Sequence, residues 1–291
     1  MAVELDLFAI LVSLILLAFV CASGFLWYLH FRYAEARILP EDQVPTWPIG
    51  WVNFGIFMCT LFVAVAFVPL LGSFFIRDAI EAADGELTPF IAIYGVLLSQ
   101  LPMLGVFYGL RRLYPGQYAG QLSANTLSLG EAIWKTIPLF IKLLPLVWIA
   151  GMFWSSLVAV LERSGIIGEQ QPQELVELFK SGGSFAEILI LFVLAVFLAP
   201  LVEEIIFRGC IYRFLKSKAA RLPAQIFSAT LFGLMHQNLL ALFPLIIVGI
   251  ILARIYEKSG SIFVPICFHA CFNAFSLIML FLLSQSKIGI E

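Results

Sequence analysis

The run Leu201-Val202-Glu203-Glu204-Ile205-Ile206-Phe207-Arg208 sets adjacent carboxylates and an arginine inside an apolar stretch long enough to cross a bilayer. A charged side chain at the centre of a membrane helix costs about 2.5–3.5 kcal/mol on insertion scales, so such charges are rarely accidental. Glu204 and Arg208 are four positions apart and share a helix face, which lets them pair. Glu203 lies about 100° round the helix from Glu204. It has no local partner, the condition in which a carboxylate can work as a base near neutral pH.

The rest of the chain supplies the membrane that this stretch crosses. Of 291 residues, 62% are hydrophobic and 12% charged, and the mean hydropathy is +1.00. Soluble domains carry about 25% charged residues, so the composition predicts an all-α, polytopic membrane helix bundle. The net charge of −2 gives no reason to expect nucleic acid. Cys21, Cys59, Cys210, Cys267 and Cys271 lie in or beside apolar runs without a CxxC pair. Buried reduced thiols are expected, with no disulfide framework. The acidic start, Glu4 and Asp6, differs from the basic start of a signal peptide, so the first apolar run reads as a retained helix.

Apolar stretches predict about eight spans, near 7–28, 49–75, 88–110, 132–161, 185–212, 223–235, 239–255 and 262–283. Lysine and arginine concentrate in alternate connections: Arg32 and Arg37; Arg111, Arg112 and Lys135; Arg213, Lys216, Lys218 and Arg221; Arg254 and Lys258. The intervening connections are acidic. The positive-inside rule then puts both termini outside and the basic loops in the cytosol. A short amphipathic pattern over 174–180 is expected on the outer membrane surface.

Two further helices carry polar groups that hydrocarbon disfavours. His236 follows Phe232-Gly233-Leu234-Met235, and His269 and Asn273 are four apart on one face. Counted from the basic loops at 1.5 Å per residue, Glu203, His236 and His269 lie about 15, 22 and 16 Å deep. They can meet with Glu204, Arg208 and Asn273 in one cavity, expected to open to the cytosol. Two carboxylates and two histidines can activate water, directly or through a divalent metal. Asn273 offers an amide donor to a developing oxyanion. A metal, zinc first, would take Glu203, His236 and His269; metal-free chemistry fits the same residues.

Glu-Glu-x-x-x-Arg at 203–208, Phe-x-x-x-His at 232–236 and His-x-x-x-Asn at 269–273 resemble the three motifs of a known family. This is the CAAX-processing and bacteriocin-processing family of intramembrane proteases (Abi, or type II CAAX prenyl endopeptidases). The resemblance covers roughly 140–282. The chain thus divides into N-terminal helices over 1–130, without an assigned role, and a protease-like core over 131–291. The resemblance implies an eight-helix bundle and hydrolysis of a peptide or lipid-modified protein held in membrane lipid, by CAAX-type or leader and bacteriocin processing. It implies that Glu203 and His236 activate water, that His269 and Asn273 stabilise the oxyanion, and that Glu204 and Arg208 brace the first motif. The competing reading is a transporter or bacteriocin-immunity scaffold built on the same polar network. Helices interrupted by Pro138, Pro145, Pro200, Pro244 and Pro265 suit it, and the lack of an inverted repeat does not.

Overall fold

The computed structural model describes residues 7–33, 43–84, 86–168, 170 and 184–284, and among these no strand occurs. The principal helices are α1 (Leu7–Arg32), α2 (Trp51–Ser73), α3 (Pro89–Leu113), α4 (Leu129–Arg163), α5 (Phe185–Lys218), α6 (Arg221–Met235), α7 (Leu239–Ser259) and α8 (Phe263–Ser284). Helix α2 runs on through a 3₁₀ turn, Phe74–Ile76, into Arg77–Ala82. Local chemistry sets the starts. Thr88 accepts from the Ile91 amide ahead of Pro89 at the first turn of α3. Ser128 with Glu131, and Ser184 with Glu187, form capping boxes at α4 and α5.

The chain is an integral, multi-pass helical membrane protein, with seven helices among the described residues long and apolar enough to cross a bilayer. Helix α6, predicted as the sixth of eight spans, differs from that expectation. Its 15 residues reach about 22 Å, less than the roughly 30 Å of a hydrocarbon core. It stops at His236 because Gln237 turns into the left-handed region (φ 49°) and the Asn238 side chain then caps α7 by accepting from the Ala241 amide.

Helices α6 and α7 form the most closely packed pair. Gly249 makes this approach possible, since a Cβ there would sit 2.7 Å from the Ala229 Cβ. The largest buried cluster joins Phe57 and Leu61 of α2, Met103, Val106 and Phe107 of α3, Val202 to Phe214 of α5, and Phe232 of α6. Residues from before and after position 130 share this cluster.

Residues 43–50, before α2, form an extended strap with Val44, Trp47 and Ile49 buried. Pro45 and Pro48 disfavour helical backbone at the residue before each and remove two amide donors. The exposed carbonyls are filled from α5: Arg213 donates to the Pro45 and Thr46 oxygens at 2.6 and 3.2 Å, and Lys216 to the Val44 oxygen at 2.9 Å. Lys216 also pairs with Glu257 at 2.6 Å, and Glu257 accepts from Tyr212. Arg213 and Lys216, expected in a solvated loop, are thus buried structural cations. The expectation of buried cysteines holds for Cys210 and Cys267, whereas Cys21 and Cys59 are exposed on the bundle surface. The segment 174–180 lies outside the described residues.

Candidate active site

Helix α5 departs from α-helical register twice, with π-helical turns at Leu194–Leu198 and Phe207–Tyr212. The first is followed by a proline. In that turn the Ala199 amide donates to the Leu194 oxygen, five residues back. The next bond in this register would run from residue 200 to the Ala195 oxygen, and Pro200 has no N–H to make it. Asn273 of α8 fills the position, its Nδ2 donating to the Ala195 oxygen at 2.8 Å. One amide hydrogen is so committed; Asn273 also lines the central cavity, and its amide has a second hydrogen to give.

Between the two π turns lies the acidic pair. Glu204 is fully buried, and its Oε1 accepts both from Arg208 Nη1 at 3.0 Å and from His269 Nδ1 at 3.0 Å. Arg208 also donates through Nη2 to the Gly249 oxygen at 3.1 Å and lies over the Phe232 ring. The expected pairing of Glu204 with Arg208 is present. The Glu204 carboxylate also fixes the tautomer of His269, with Nδ1 protonated and Nε2 turned towards Glu203 Oε2 at 3.8 Å.

Glu203 faces a cavity of about 490 Å³, together with His236, Gln237, Asn273, Ser99 and Gln100. Val65, Val96, Met103, Leu191 and Phe207 supply apolar walls. His236 sits just past the end of α6. Its Nδ1 lies 2.8 Å from the Phe232 oxygen, which leaves Nε2 as an acceptor. Glu203 and His236 share the cavity, while His269 stands behind it, buried, between the two carboxylates.

Two features escaped the sequence reading. Gln100, on α3, donates through Nε2 to Glu203 Oε1 at 3.3 Å. Its signal was Ser99-Gln100 within an otherwise apolar helix. The other is the wall that α2 and α3 contribute to the cavity. The fit to a metal is poor: among the described residues no three His, Cys, Asp or Glu side chains are grouped to hold one. Of the three expected ligands, Glu203 and His236 line the cavity, and His269 has its Nδ1 on Glu204 and its Nε2 towards Glu203.

Fold and site together define a multi-pass helical membrane protein with a buried Glu/His/Asn constellation. Residues 185–275, the region that carries the constellation, match the family model described as Type II CAAX prenyl endopeptidase Rce1-like. The chain is also 36% identical over 80 residues to a Bacillus subtilis (strain 168) protein named "Putative membrane peptidase YdiL". That alignment covers 28% of this chain and 33% of the relative, so the chain spans about a third of that protein's length. No solved structure matches the chain significantly.

Proposed function

We propose that the protein is an intramembrane endopeptidase that hydrolyses a peptide bond with water activated by Glu203. The observation that carries this reading is the placement of Glu203 and His236 on one cavity wall system, both presenting acceptor atoms, with Asn273 beside them. The Rce1-like match and the name of the Bacillus relative support the same class of chemistry.

A water between the Glu203 carboxylate and His236 Nε2 would have both hydrogens accepted. Its oxygen attacks the scissile carbonyl carbon while one proton passes to Glu203. The second Asn273 N–H meets the developing oxyanion. Glu203 then returns its proton to the amide nitrogen, and the C–N bond breaks. His269, oriented by Glu204, stands 3.8 Å from Glu203 and would close on the carboxylate as charge redistributes, since catalytic bonds in free sites are often long. The donor set gives no reason to route a step through a metal. The apolar walls suit an extended or lipid-modified peptide of the CAAX, leader or bacteriocin kind.

Purified protein incubated with a quenched peptide pool should release fluorescence, and Glu203→Gln should abolish it at unchanged membrane expression. Turnover should persist in excess chelator. A fully active Glu203→Gln variant would sink the base assignment, and chelator-sensitive turnover would restore a metal to the mechanism.

A further inference from the structure

The matched region begins at residue 185, yet two polar residues of the cavity, Ser99 and Gln100, come from α3, before it. Counted from their ends near the strap, Leu113 and Lys218, Gln100 lies about 20 Å along α3 and Glu203 about 22 Å along α5. The same level and the 3.3 Å contact between Nε2 and Oε1 make Gln100 the neighbour of Glu203 across the α3–α5 seam. Its Oε1 is buried with no hydrogen-bond partner among the described residues.

We infer that Gln100 is a positioning residue that holds the Glu203 carboxylate through both of its protonation states; the inference rests on the peptidase reading. With Glu203 ionised, the amide presents N–H to Oε1. Once Glu203 has taken the proton of water, a half-turn of the amide presents Oε1 to the new O–H. That half-turn breaks no hydrogen bond from Gln100 Oε1 to another described residue. A carboxylate kept in one rotamer through proton uptake and return stays aligned with water first and the leaving nitrogen second. No charged residue could do both tasks: a lysine only donates, and an ionised carboxylate only accepts. The inference gives α3 a role in the chemistry, since it carries the group that orients the base.

The test compares Gln100→Met, which keeps length and bulk and removes the amide, with wild type on the same quenched peptide. The expected result is a kcat lower by about 10- to 100-fold, the worth of one hydrogen bond to a charged group. KM should stay within about twofold, with an unchanged melting temperature. Unaltered kcat overturns the inference. So does a raised KM with a lowered melting temperature, which would make Gln100 a wall residue. A second measurement is independent of activity. In a background with the five native cysteines replaced, Gln100→Cys/Glu203→Cys should be bridged by a short dithiol-specific cross-linker, and Gln100→Cys/Leu201→Cys should not. Absence of the first bridge in folded protein overturns the inference. If wild type cleaves nothing, or Glu203→Gln cleaves as well as wild type, the peptidase reading fails and the cross-link alone decides whether Gln100 faces Glu203.

Discussion

Arg208 shows how much one side chain can hold together at membrane depth. It is 1% exposed and reaches Glu204 on its own helix and the Gly249 oxygen on α7, with Phe232 of α6 beneath it. A fork of donors can do this where a point charge cannot. Removing one partner of a buried ion pair costs about 3–5 kcal/mol, because the other charge is left uncompensated. Arg208→Ala should therefore lower folded yield and melting temperature sharply, and Arg208→Lys should lie between it and wild type, since an ammonium can keep Glu204 but not span to Gly249. Thermal unfolding in detergent measures both. Wild-type melting in Arg208→Ala would mean that His269 alone suffices to balance Glu204.

At the scale of the element, the broken register of α5 explains why Asn273 sits where it does. Pro200 leaves the Ala195 oxygen without its π-register donor, and the Asn273 amide takes the vacancy. Asn273→Leu should then destabilise the protein by about 1–3 kcal/mol, the cost of an unsatisfied buried carbonyl. Pro200→Ala restores an N–H to the helix, so the same Asn273→Leu change should cost clearly less in that background. Equal costs in both backgrounds, measured by thermal unfolding, would separate Asn273 from the register break. The helices and the Glu204–Arg208 pair were legible in the sequence because they depend on near neighbours, an apolar run or an i,i+4 spacing. Nothing local announces that one amide hydrogen of Asn273 goes to an orphaned carbonyl 78 residues away. The Gln100–Glu203 contact, across 103 residues, and the Arg213–Pro45 contact, across 168, are set by tertiary packing and leave no periodic trace.

For the whole molecule, the strap bears on how substrate reaches the site. Residues 43–50, clamped by Arg213 and Lys216, and the buried rings of Trp47, Phe57, Phe107, Tyr118 and Phe214 fill the bundle at the end where α5 finishes. The cavity lining instead climbs α5 from Glu203 through Ala199 and Ala195 to Leu191, towards the helix start at Phe185. It takes Val96 from the first turns of α3, which begins at that same end. Helix α6 ends at Met235, and Met235, His236 and Gln237 line the cavity. Access is thus expected from the face opposite the strap. The expectation of a cytosol-facing site rested on the basic loops, which lie at the strap end, and two of the cations counted there, Arg213 and Lys216, are buried. Single-cysteine labelling with a membrane-impermeant maleimide tests this without assuming which face is cytosolic. In the cysteine-free background, Ile166→Cys reports the face beyond α4 and Lys218→Cys the strap face, both positions being exposed. Ala195→Cys should label from the side that labels Ile166→Cys. Labelling that follows Lys218→Cys would mean that the strap opens and that substrate enters through the end it fills.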